Sequence, residues 1–132
     1  MDHFNYQQDL LFAEEVPLRK IAEQYGTPSY VYSRATLERH AKAYTESFNS
    51  MDGLVCFSVK ALSNVAILKV LKQCGCGFDI VSGGELHRAL LAGADPQKII
   101  FSGVGKSKAE MAEGIKSNIL SFTVESESEL MA

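Results

Sequence analysis

Four short apolar runs recur along the second part of this chain at nearly even spacing, and that recurrence limits what it can fold into. They cover Leu54–Val59, Phe78–Val81, Lys98–Phe101 and Leu120–Val124, with starts 24, 20 and 22 residues apart. Amphipathic helical patterns fill the gaps: Val65–Leu71 ending at Gly75, Glu85–Ala92 ending at Gly93, and Lys108–Ile115. A strand, a helix and another strand in this rhythm predict parallel strands joined by right-handed crossovers. Unbroken apolar strands predict a sheet buried on both faces. Ser107 with Glu110, and Ser126 with Glu129, have the spacing of helix capping boxes. The second box opens a helix at Glu127, and the sequence stops at Ala132 before two turns are complete. Four βα units form an arc of a (β/α)8 barrel and leave an open strand edge. The topology therefore predicts the N-terminal part of a larger α/β barrel protein.

The lead-in, residues 1–53, reads differently from the barrel segment, residues 54–132. Its first fifteen residues show no clear period. A helix is predicted from Pro17 through Ile21, Ala22 and Tyr25 to a stop at Gly26. Ser29–Tyr32 reads as a short strand. Ser33 then caps a helix whose Leu37, Ala41, Tyr44 and Phe48 fall on one face. With 46% hydrophobic and 22% charged residues, the 132-residue chain has the composition of one globular unit. Thirteen basic and 16 acidic residues give a net charge of −3, which leaves no basic excess for nucleic acid. No apolar stretch nears the ~18 residues of a membrane span, and the first residues lack an export-signal pattern. Three cysteines in such a chain read as reduced thiols, so a cytoplasmic location is expected.

In parallel α/β folds reactive groups gather where the strands end. Lys60 ends the apolar run Val55–Val59. If that strand carries it into a barrel mouth, desolvation favours the neutral amine, a nucleophile able to form a Schiff base with a substrate or with pyridoxal phosphate. The same spacing is met by a lysine whose stem lies on the strand end and whose ammonium sits in water. Asp79 interrupts the second run, with its side chain opposite those of Phe78 and Ile80. Such a carboxylate needs a partner, which Lys60, a cationic cofactor or a structural cation from a later strand would supply. Glu85 stands at a helix start, where capping explains it. Gly103–Ser107 ends like a phosphate-binding loop, but Ile100 occupies the place of the required first glycine. Cys74 and Cys76 are separated by one residue, and His3, His40 and His87 are scattered, so no metal site is expected.

Phe57-Ser58-Val59-Lys60-Ala61 resembles the lysine motif of the barrel-type pyridoxal-phosphate decarboxylases, whose barrel is of the alanine-racemase type. Lys60–Asn64, Gly75–Leu86 and Lys98–Ser107 are similar to the diaminopimelate decarboxylase branch of that group; Leu62 departs from the asparagine many relatives carry. The resemblance implies that Lys60 holds pyridoxal 5'-phosphate, with Asp79 near the cofactor and Glu85 supporting that corner less directly. It implies decarboxylation of meso-2,6-diaminopimelate to L-lysine and carbon dioxide, the last step of lysine synthesis, by a homodimer. The family's phosphate-binding glycine loop, pyridine partner and substrate contacts come from later strands and a C-terminal β-domain, none of them within residues 1–132. The chain alone is therefore expected to be inactive and poorly stable. Ornithine, arginine or a carboxylated polyamine are alternative substrates, and a non-catalytic cofactor-binding or dimerising module is the alternative role.

Overall fold

The computed structural model describes residues 2–48 and 50–132, which divide into two compact units, 1–40 and 41–132. The first unit opens with an antiparallel sheet, β1 (Phe4–Gln7), β2 (Leu10–Ala13) and β3 (Val16–Pro17), in that spatial order. The sequence pattern shows none of it, and the reason lies in the turns. Gln7 pairs with Leu10, so the first hairpin has a two-residue loop, Gln8–Asp9, with both φ values positive at 48° and 65°. That conformation matches the twist of the flanking strands and is normally signalled by Asn-Gly or Asp-Gly. Here neither turn residue is a glycine. The second turn is held by Glu14, whose carboxylate accepts hydrogen bonds from Ser33 Oγ at 2.7 Å and the Ala35 amide at 2.9 Å.

Helix α1 (Leu18–Tyr25) comes directly after β3, with Pro17 before its first turn and Gly26 closing it through a 2.9 Å bond to the Ala22 carbonyl. The expected strand at Ser29–Tyr32 does not form; these residues lie in irregular backbone and Tyr30 is 92% exposed. β-propensity is realised only where a ladder partner exists, and β1–β3 pair among themselves. The lead-in thus consists of three antiparallel strands and helices rather than helices and a single strand. Helix α2 (Arg34–Ser47) begins as expected, with Ser33 Oγ accepting from the Thr36 amide at 3.0 Å. Of its apolar stripe only Ala41 is buried.

The second unit is built on a parallel sheet, β4 (Cys56–Ser58), β5 (Gly77–Ile80), β6 (Ile99–Phe101) and β7 (Ser121–Phe122), ordered as in the sequence. Helices α3 (Val65–Gln73), α4 (Gly83–Leu91) and α5 (Lys108–Lys116) connect the strands, and α6 (Glu127–Leu130) comes after β7. Register places Phe57, Phe78, Ile99 and Ile80, Phe101, Phe122 on one face. Phe78, Ile80, Ile99 and Phe101 are fully buried there with Leu68, Leu86 and Ala89 from the helices. The Phe101 and Phe122 rings stack with centroids 5.7 Å apart.

The other face carries Cys56, Ser58, Asp79, Ile100 and Ser121, which are half-buried or exposed. Crossovers of one hand put the connecting helices on the same side of the sheet, so within this chain the helices cover one face. Gly77 sits where β4, β5 and the approach to β6 crowd together. A Cβ there would collide with the Lys98 carbonyl and stand 3.0 Å from Cys56 Sγ. Backbone cannot yield as a flexible side chain would, so Gly77→Ala is expected to destabilise the chain by about 1–3 kcal/mol in denaturant unfolding. Phe101→Ala, which empties a fully buried ring site, should cost about 3–5 kcal/mol in the same measurement.

Candidate active site

All four βα connections of the second unit leave the same edge of the sheet, and the sequence-predicted residues collect there. Strand β4 ends at Ser58 and the chain turns at once into a 3-10 helix, Val59–Ala61. Val59 is fully buried and anchors this turn, while Lys60 is exposed. Its ammonium group meets no hydrogen-bond or ion-pair partner among the described residues. Of the two placements its spacing allows, the exposed one is found: the ammonium is not withdrawn from water within this chain. Asn64 Oδ1 accepts from the Ala66 amide at 2.9 Å and starts α3 immediately afterwards.

Asp79 lies on the neighbouring strand in register with Ser58, and β5 touches the Lys60 turn. Its partners are hydroxyls rather than a cation. Ser102 Oγ donates to Oδ1 at 2.5 Å, and Ser58 Oγ lies at 3.5 Å from Oδ2. A half-buried carboxylate is satisfied this way without a fixed counter-ion. Burial first, then the Asp79 charge, then Cys76, push the Cys56 thiol above its ordinary pKa; burial and Cys74 do the same to Cys76. These thiols stay protonated at neutral pH and are poor nucleophiles. Glu85 caps as expected: its amide donates to Ser82 Oγ at 3.2 Å, and its carboxylate accepts from the Val81 amide at 2.9 Å.

Three residues do more than their spacing shows. Glu110 completes the expected box with Ser107, and its Oε1 also accepts from the Gly83 amide at 2.9 Å, tying the start of α4 to the start of α5. The Gly83 amide, then the Ser107 amide and hydroxyl, hold the Glu110 carboxyl down to about 2. Lys106, the lysine of the apparent phosphate loop, is buried. Its Nζ donates to the Gly103 carbonyl and, at 2.8 Å, to the Thr123 carbonyl, and pairs with Glu129 at 2.9 Å. No anion site is left on it. Glu129, expected to complete a box with Ser126, receives the Glu125 amide at 2.8 Å instead. Only the Ser126 half of that box forms, with Ser126 Oγ accepting from the Glu129 amide at 3.2 Å. The spacing of Ser107–Glu110 flagged Glu110 as a cap; nothing in the sequence linked it to Gly83, or Lys106 to Thr123 and Glu129.

An amine free to react at the end of one strand, and a carboxylate held by hydroxyls on the next, suit a cofactor that bonds to lysine and carries positive charge. Residues 34–132 match the sequence profile of the pyridoxal-dependent decarboxylase, pyridoxal binding domain family, and the chain belongs to that family. Among curated relatives, the diaminopimelate decarboxylase of Vibrio cholerae is 57% identical over 131 residues, 98% of this chain and 31% of that protein. A solved structure from Aquifex aeolicus superposes with a TM-score of 0.92 at 43% identity, over 98% of this chain and 32% of the other. Diaminopimelate decarboxylase from M. jannaschii, crystallised with L-lysine, gives 0.86 at 34% identity over 97% and 31%. The fold is therefore part of the alanine-racemase-type barrel, and the chain spans about 31% of the length of the Vibrio relative.

The Glu110 carboxyl is held below its ordinary 4.5 in the fold, so its contribution to stability is full above that value and disappears as pH falls through about 2. Glu14 and Glu129 are held down in the same direction. Unfolding midpoints measured from pH 5 to pH 2 should decline, and Glu110→Gln should flatten part of that decline while lowering the midpoint at pH 7.

Proposed function

We propose that this chain supplies the cofactor lysine of a pyridoxal-phosphate-dependent decarboxylase acting on meso-2,6-diaminopimelate to yield L-lysine and carbon dioxide. The observation that carries the reading is Lys60 itself. It is an exposed amine, without a partner among the described residues, at the end of β4 and beside the Asp79 strand, in a chain 57% identical to the Vibrio diaminopimelate decarboxylase. The L-lysine bound in the M. jannaschii relative is the product this reaction requires. Pyridoxal phosphate, when bound, draws off the electron pair left on Cα as the carboxylate departs. Lys60 Nζ would hold the cofactor through its aldehyde carbon. Asp79, whose carboxylate is held by Ser102 and Ser58, would offer its negative charge to the cationic cofactor. We take residues 54–132 as the cofactor-barrel segment and 1–53 as its lead-in, since the chemical groups named here all lie beyond residue 53. We further propose a cytoplasmic homodimer, the dimer as the family resemblance implies and the compartment from the reading of the three cysteines as reduced thiols. No helix among the described residues is long and apolar enough to cross a membrane.

The test uses the longest open reading frame containing this chain. Incubation with pyridoxal phosphate, borohydride reduction and peptide mapping should place a pyridoxyl group on Lys60, and Lys60→Ala should abolish it. Turnover of meso-diaminopimelate should then exceed that of ornithine, arginine and carboxylated polyamines. Modification elsewhere, or none, overturns the assignment of Lys60; preference for another amino acid keeps the cofactor and changes the substrate. Labelling of Lys60 without any turnover would leave a cofactor-binding module.

A further inference from the structure

We infer that Ser102 is a positioning residue for the cofactor site: its hydroxyl sets the orientation of the Asp79 carboxylate, and Lys106 in turn holds the backbone that carries Ser102. Three constraints converge on this serine. Its amide donates to the Ile80 carbonyl at 2.8 Å, which keeps the chain in the β5–β6 ladder one step beyond the end of β6. The next residue, Gly103, is left-handed with φ at +93°, and a Cβ there would stand 3.1 Å from Val81 Cβ. The Gly103 carbonyl is taken by Lys106 Nζ, a cation only 1% exposed that Glu129 and the Thr123 carbonyl hold from the next loop. On this constrained backbone the rotamer that Ser102 adopts brings its hydroxyl to Asp79 Oδ1. The second donor, Ser58, is at the limit of hydrogen bonding at 3.5 Å and cannot hold the carboxylate plane by itself.

The inference rests on Asp79 facing the cofactor, as proposed above, and the experiment separates failure of one from failure of the other. In the longest reading frame carrying this chain, cofactor dissociation is measured on apoprotein by the absorbance of added pyridoxal phosphate. Borohydride labelling of Lys60 in the unsubstituted protein serves as the reference. Ser102→Ala, which removes a hydrogen bond to a charged group, should raise the dissociation constant about tenfold. Ser102→Thr, which keeps the hydroxyl, should restore it to within about threefold of the unsubstituted value. In an Asp79→Asn background the alanine change should add less than about twofold, the mark of coupling through that carboxylate rather than of general loosening. Ser102→Cys, close in volume but only a weak donor, should fall on the alanine side and serves if the alanine variant does not fold. A dissociation constant unmoved by loss of the hydroxyl, or raised equally in both backgrounds, overturns the inference while Lys60 labelling keeps the cofactor reading. An unsubstituted protein that takes no label at Lys60 overturns both.

Discussion

The burial of one face of the parallel sheet under the helices governs both the stability of the second unit and the placement of Lys60 and Asp79. Phe78 and Ile80 on β5, with Ile99 and Phe101 on β6, are fully withdrawn from water beneath the helices. At about 25 cal/mol per Å² of apolar surface this packing is the main source of stability. Because side chains alternate along a strand, the same register that buries these four turns Asp79 and Ile100 to the opposite face. Parallel pairing then requires each strand to run the same way, so all four connections into helices emerge at one edge. The edge that carries the proposed site is a consequence of the core rather than an addition to it.

At that edge the loops are fastened to one another by polar groups. Glu85 closes the turn after β5 on the Val81 amide. Glu110 reaches from α5 back to Gly83, and Lys106 reaches from the loop after β6 forward to Thr123 and Glu129. These bonds satisfy backbone groups that a helix start or a loop leaves without a partner. Two consecutive loop junctions are thereby tied. Lys60 differs from its surroundings in having no such tie among the described residues, which suits a side chain that bonds to another molecule rather than to the fold.

The second unit was largely legible from the residues alone. The spacing of the apolar runs led to β4–β7 in the correct order, Gly75 and Gly93 marked helix ends with φ values of +89° and +80°, and the Ser107–Glu110 box formed as its spacing predicts. Lys60 and Asp79 stood out because each places a charge in or beside an apolar strand. The lead-in was opaque for a local reason. Its first hairpin turns on Gln8 and Asp9 in left-handed conformations without a glycine to signal them. Ser29–Tyr32 has strand composition but no ladder to join.

The sequence by itself determined periodicity, capping and the chemical types at the strand ends, because these depend on neighbours within a few residues. Tertiary structure alone decided which face of the sheet is covered, that Lys106 is a buried fastening rather than a phosphate ligand, and that Glu129 serves Lys106 and the Glu125 amide instead of closing a box. It also decided that Asp79 answers to Ser102, 23 positions away. Those outcomes depend on which groups the packing of separate βα units brings within hydrogen-bond distance, a property that no short window of sequence contains.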